Sequence, residues 1–365
     1  MSYDQLRKLI GTDSQTAVYL SLPPECYPSA LTGLSNAGLL DSISIVVTEK
    51  PLAQTLAQGQ NFLELLQQQG KESQVAFVEH FLLKETLQNI LAFRLSTPFE
   101  QLFTRDNVAE IKIYALEKLT AKDRPAFYES VGGALPDMIT HLLAIAYLFL
   151  IELPSSFNVQ DIRKAKETVA QALRVTDIPK AVFGQYNGYR QECNNPNSQT
   201  MTFIAFTVEY PNPRWQGVPV KIITGKGLPD KYCGIEIVFK QHSNASRIFP
   251  SATQPVLVFR HHPNEGISFH FDIKQPGVGM QIQPVKMEFN YSALNQINQP
   301  AYLRLLSDVL AGDLSWFSGP VEAIEALRVA DDLQAGRVPS LVNYEVGTYP
   351  AEAKDWLPTE VQGWL

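Results

Sequence analysis

Cysteine is scarce: Cys26, Cys193 and Cys233 are widely spaced and odd in number. That arrangement suggests neither a disulfide framework nor a zinc site. Long apolar runs are missing as well. The greasiest stretch, HLLAIAYLFLIEL from 141 to 153, falls short of the ~20 apolar residues a membrane span needs. It reads as a buried helix, and no membrane association is expected. Nor is there a surplus of basic charge: 30 Lys and Arg stand against 37 Asp and Glu, a net charge of -7. Phosphate-backbone binding needs a basic face, so nucleic acid is not an expected partner, although a local basic pocket stays compatible with this balance. The start, MSYDQLRKLIGTD, lacks the basic-then-apolar order of a signal peptide, and a cytoplasmic protein is expected. Finally, no GxGxxG turn follows any strand candidate. Such a turn lets backbone N–H groups and a helix N-terminus approach a pyrophosphate.

What is present is globular. Hydrophobic residues make up 45% and charged residues 18% of 365, values that allow two domains with a core each. Two apolar strand candidates, TAVYLSL (16 to 22) and SISIVV (42 to 47), flank a stretch with helical spacing at Tyr27, Leu31 and Leu34 and a stop at Gly38. Strand, helix, strand with near-continuous apolar strands predicts a parallel, doubly covered sheet. On this reading it amounts to one βαβ unit, a remnant over residues 1–53. Residues 54 to 175 read mostly as helices from apolar positions three and four apart. From 200 to 291 the period changes to two, with Ile267, Phe269, Phe271 and Ile273 on one face and Ser268, His270 and Asp272 on the other. A large, mainly antiparallel sheet with helices on one face is predicted, so the fold class is α+β, with the second domain at 54–365. Helices return at AYLRLLSDVLAG and VEAIEALRVADDLQAG, and the tail from 337 reads as proline-rich and irregular.

VEHFLLKE, residues 78 to 85, places His80 and Lys84 four apart beside Glu79. Residues four apart share a helix face, and two cationic donors on one face suit a phosphate. A solvated surface would show the same spacing. His261 and His262 do not suggest a metal, because neighbouring strand residues point to opposite faces, and no metal is expected.

YLSLPP, VVTEKP, VEHFLLKE, FTRDNVA, THLL, GQYNGY, RWQGVPV, ITGKGL and RHHPNEGI occur in that order along the chain. In this series the sequence resembles the glucose-6-phosphate dehydrogenase family. The resemblance implies a Rossmann dinucleotide-binding domain followed by an α+β domain with a large antiparallel sheet. It implies NADP as cofactor and glucose 6-phosphate as substrate. The family's GxxGDLA-type phosphate loop has no counterpart here, so the expectation is a sugar-phosphate-binding protein that does not bind NADP productively by itself. Its alternatives are an active divergent dehydrogenase whose nucleotide site a partner chain completes, and a structural subunit used for oligomerisation.

The resemblance also assigns residues. His80 and Lys84 match the phosphate ligands of the family's DHYxxK motif; Glu79 stands for the aspartate that orients the catalytic histidine, and Phe81 for the tyrosine. Lys50 matches the lysine that contacts the substrate between the domains and is assigned to the cofactor as well, with a cis bond implied before Pro51. Lys226 and Lys231 match lysines near the substrate phosphate, and Glu117 a carboxylate that binds sugar hydroxyls. His262 replaces a glutamine in the PNE motif. His141 matches the general base that takes the C1 hydroxyl proton, a role that suits a side chain titrating near neutral pH. A one-residue shift puts Asp137 four before His141 instead of five. A helical position is a rotation of about 100°, so Asp137 is expected to point away from the sugar unless the helix start is reorganised. The partners implied are a sugar phosphate and a second copy through the antiparallel sheet; the open strand edge of a single βαβ unit adds residues 1–50 as a candidate surface for another protein.

Overall fold

A computed structural model of the chain describes residues 2–10, 16–40, 43–50, 52–53, 55–277, 279–294, 301–335 and 340–362. It divides into two compact units that interleave along the sequence. The first comprises Met1–Leu83, Ile151–Gln171 and Asn298–Asp331, the second Lys84–Leu150, Ala172–Ile297 and Asp332–Leu365.

The first unit is built on three parallel strands, β1 (Thr16–Leu20), β2 (Ile43–Thr48) and β3 (Val75–Phe77), in the order β1-β2-β3. Successive strand residues point to opposite faces, and both faces are apolar and covered. Val46, Val75 and Phe77 pack with Leu31 and Leu34 of the helix Tyr27–Asn36 and with Phe62 and Leu66 of the helix Leu56–Gln68. On the other side Ile45, Val47 and Ala76 meet Leu305, Val309 and Phe317. The helix Leu56–Gln68 starts where the Thr55 hydroxyl accepts from the Gln58 N–H at 3.2 Å, satisfying a donor that a helix start leaves free. The sequence reading of the first 50 residues stops at one βαβ unit; the structure adds β3. Three residues are too few for a period to show, and VAF is buried throughout.

The second unit is a ten-stranded mixed sheet. Its strands are β4 (Val108–Leu116), β5 (Arg174–Thr176), β6 (Val182–Tyr186), β7 (Phe203–Glu209), β8 (Val220–Gly225), β9 (Tyr232–Phe239), β10 (Val256–His262), β11 (Gly266–Lys274), β12 (Ile282–Asn290) and β13 (Val342–Tyr344). The order is β12-β11-β10-β9-β4-β8-β7-β6-β13, with β5 on β7. Within that order β4 with β8 and β6 with β13 are parallel, and the other pairs are antiparallel. The period-two reading found β7 to β12. It missed β4, a nine-residue central strand buried along most of its length. The helix Ala134–Leu150 lies against β4 and β8. On the opposite face Tyr114 joins a cluster with Tyr344, Ala353 and Trp356. The tail is therefore ordered where it is described: β13 extends the sheet, and the turns Ala351–Trp356 and Thr359–Gln362 cover it. Buried on both faces, β4 shows no alternation, which hides a strand in sequence.

Candidate functional site

In the first unit, parallel strands carry their carboxyl ends to one edge of the sheet, the usual place for a ligand in an open α/β sheet. Glu49 and Lys50 follow β2 there; Glu79 and His80 follow Val78 after β3. The Tyr19 hydroxyl donates to the Glu49 carboxylate, and the Tyr27 hydroxyl to its carbonyl at 2.9 Å. Val78 N–H donates to the Thr48 carbonyl at 2.9 Å, which ties the Glu79 segment to β2. Glu79 is 4% exposed. Burial pushes its carboxyl up to about 7, against the pull of His80, Lys50, the Phe81 N–H and Lys166. A carboxyl poised there exchanges a proton near neutral pH. His80 is exposed, with the Phe81 ring edge-on to it at 4.9 Å. Pro51 lies outside the described residues; the cis bond found among them is His262–Pro263.

In the second unit, strand register assembles the residues. β4 and β8 are parallel with Leu116 opposite Gly225, so the next residues, Glu117 and Lys226, emerge together and form an ion pair. β9 runs antiparallel to β4 and places Cys233 opposite Ala115, with Lys231 just before the strand; β10 brings His262 opposite Cys233. Burial pushes the Cys233 thiol up to about 12, and among nearby charges Glu117 adds to that while Lys231 and Lys84 oppose it. Burial lowers His262, and Lys231 and Lys84 lower it further. Lys84 and Lys231 thus set positive charge beside neutral His262, and Lys84 Nζ lies 3.7 Å from Glu265. Positive charge there suits an anion.

The Asp137 carboxylate lies 3.9 Å from Lys226 Nζ, on the side of the Glu117 pair. The chain enters this helix through Gly132 and Gly133, both at positive φ (88° and 84°). Glycine takes this conformation without penalty, and a Cβ on Gly133 would collide with the Met201 carbonyl, to which Ala134 N–H donates at 2.7 Å. The helix therefore begins at Ala134, with Pro136 in its first turn. His141 follows Asp137 by one helical turn and is 1% exposed. Tyr128 went unnoticed in the sequence. It is 5% exposed, its ring lies 5.3 Å from Lys226 Nζ, and its hydroxyl has no hydrogen-bond partner among the described residues. Burial, then Asp137, Tyr344 and Glu117, push that hydroxyl up. No local pattern in RPAFYES marks it.

The family model described as glucose-6-phosphate dehydrogenase, C-terminal domain, matches residues 91–365, and its NAD-binding-domain counterpart matches residues 1–89. The chain belongs to the glucose-6-phosphate dehydrogenase family. It is 30% identical to glucose-6-phosphate 1-dehydrogenase of Chlamydia trachomatis, over 99% of this chain and 89% of that relative. It is 35% identical to the enzyme of the same name from Borreliella burgdorferi, over 86% of this chain and 70% of that one. A solved glucose-6-phosphate dehydrogenase in complex with glucose 6-phosphate superposes with a TM-score of 0.89 at 26% identity, covering 97% of this chain and 78% of the other. The glucose-6-phosphate 1-dehydrogenase structure from Mycobacterium avium gives 0.82 at 27%, over 99% and 77%.

The family match includes an NAD-binding domain, so the expectation of an impaired nucleotide site and of a truncated remnant finds no support. The donors present fit a nicotinamide nucleotide in part. Lys50, at the carboxyl edge of the parallel strands, is the cation that would hold it, and the group when bound supplies a hydride acceptor. A glycine-rich turn for the pyrophosphate is not found after β1, β2 or β3 among the described residues. No helix among the described residues is long and apolar enough to cross a membrane.

Proposed function

We propose that this protein is a glucose-6-phosphate 1-dehydrogenase, oxidising glucose 6-phosphate at C1 with NADP as acceptor. The observation that carries the reading is the convergence of Glu117, Asp137 and Lys226 on one edge of the sheet, one helical turn from His141, beside the cations Lys84 and Lys231 and neutral His262. Carboxylates accept hydrogen bonds from sugar hydroxyls, and the lysines and histidine take the phosphate, since charge-assisted hydrogen bonds are the strong ones. His141 is the base for the C1 hydroxyl proton. His80 and Glu79 keep the phosphate-binding and base-orienting roles that the resemblance implies, and Lys50 meets both substrate and nucleotide. A partner chain completing the pyrophosphate side accommodates the missing glycine-rich turn.

The apolar face of β11 and β12 supports a homodimer through this sheet. Ile267 pairs with Phe289, Phe269 with Met287, and Phe271 with Val285, so one face carries six apolar side chains. Met287 is 63% and Phe289 39% exposed. A second copy laid on this face removes apolar area from water.

The assay is NADP reduction by the purified chain with glucose 6-phosphate, followed at the absorbance band of the reduced nicotinamide. The expected result is turnover that requires the phosphate. Calorimetric binding of the sugar phosphate without reduction would favour the binding-protein reading instead, and absence of binding would overturn both.

A further inference from the structure

A buried ion pair in the first unit is left unused by this assignment. Lys166, on the helix Val159–Ala172, and Glu322, in the first turn of the helix Pro320–Gln334, are 0% and 1% exposed. Lys166 Nζ lies 3.3 Å from Glu322 Oε1. Such a pair gives up two hydration shells, and well-packed apolar residues often match or exceed its contribution to stability. Its geometry points elsewhere. Lys166 Nζ donates to the Phe317 carbonyl at 2.8 Å. Ser318 exchanges two backbone hydrogen bonds with Phe77, at 2.9 and 3.1 Å. Gly319 N–H donates to Glu322 Oε1 at 3.1 Å. Three consecutive residues are thus pinned, the outer two by the ion pair and the middle one to the end of β3, and Glu79 follows Phe77 by two positions.

We propose that Lys166 is a positioning residue for Glu79, holding the Phe317–Gly319 corner against the end of β3 that leads into it. The proposal rests on the dehydrogenase reading for its consequence in catalysis, but its geometry stands without it. Lys166 is one of three cationic side chains that favour the ionised form of Glu79, with His80 beside it and Lys50 from the end of β2. Glu322 Oε2 accepts no hydrogen bond among the described residues, and Lys166 meets this carboxylate through Oε1. Glu167, also pushed up by burial and by Glu322, is the neighbouring carboxyl on this helix, which carries Asp161, Arg163 and Lys164 as well.

Lys166→Met alone strands a buried carboxylate and strongly destabilises the fold, so the test adds the double variant Lys166→Met/Glu322→Gln, and Lys166→Arg as the conservative change. Carbon-13 NMR of labelled glutamate, assigned with Glu79→Gln, follows the Glu79 carboxyl directly. In the double variant its titration should move up, the direction expected when a cation that favours its ionised form is lost and the corner that positions it is released. The acid limb of kcat/KM should move with it while KM for glucose 6-phosphate stays within about twofold, and Lys166→Arg should restore both. A folded double variant with unchanged Glu79 titration would overturn the proposal. Were the native chain to show no turnover, the dehydrogenase reading would fall, and the NMR titration would still decide the role of Lys166.

Discussion

Glu117 and Lys226 stand 109 positions apart in sequence and form an ion pair, because parallel pairing of β4 and β8 sets Leu116 opposite Gly225. Lys226 also separates two like charges, Glu117 and Asp137. Lys226→Met should therefore weaken glucose 6-phosphate binding roughly ten- to hundredfold, the equivalent of losing a charged hydrogen bond worth about 1.5–3 kcal/mol. Calorimetric titration checks this, and Glu117→Gln should partly restore affinity in the double variant by removing one of the two unopposed charges.

Lys84 stands at the start of the helix Glu85–Ser96 and, with Lys231, sets positive charge beside His262. If these charges bind phosphate, Lys84→Ala should raise KM for glucose 6-phosphate by roughly tenfold or more. The phosphate-free sugar gives the control: the same variant should handle glucose no worse than the native chain does. An equal loss for both sugars would place the effect in folding or in the hydroxyl contacts.

This pairing could not be read from sequence. ITGKGL and IKIYALE each suggest a strand end only once β4 is known, and β4 hides because both its faces are buried. The strands from β7 to β12 were legible because partial burial leaves alternation, as in β11, where buried Ser268 and His270 alternate with half-buried Ile267 and Phe269. The first βαβ unit was legible from its apolar strands and the Gly38 stop. The approach of Asp137 to Lys226 was not legible, because a rotation counted from His141 says nothing of how Gly132 and Gly133 lead the chain into the helix. Tyr128 reaches Lys226 through tertiary packing alone.

Glu79 links stability to pH. Its carboxyl rises from about 4.5 in the unfolded chain to about 7 in the fold, so between those values the folded state binds more protons than the unfolded one. The stability this group contributes is therefore fully present below pH 4.5 and is lost as pH rises through 7, by about 3 kcal/mol. Glu79→Gln should remove that loss: the variant should gain stability relative to the native chain between pH 5 and pH 8 in urea titrations, even as its activity drops.

His270 works in the opposite direction. Burial first, then Lys286 and Arg260, lower it from 6.5 to about 4, so it stays neutral in the fold. The stability it contributes is present above pH 6.5 and is lost as pH falls through 4. His270→Gln should flatten the acid limb of the stability profile, measured by thermal unfolding between pH 7 and pH 4.

Glucose 6-phosphate carrying deuterium at C1 tests the central claim most directly. The purified chain is incubated with this substrate and NADP, and the nucleotide is analysed by mass spectrometry. The account predicts one deuterium in the reduced nicotinamide ring, and a rate that falls by about 10²–10⁴ in His141→Asn, the usual contribution of a general base. Reduced nucleotide without deuterium, or sugar phosphate bound with the nucleotide unchanged, would contradict it.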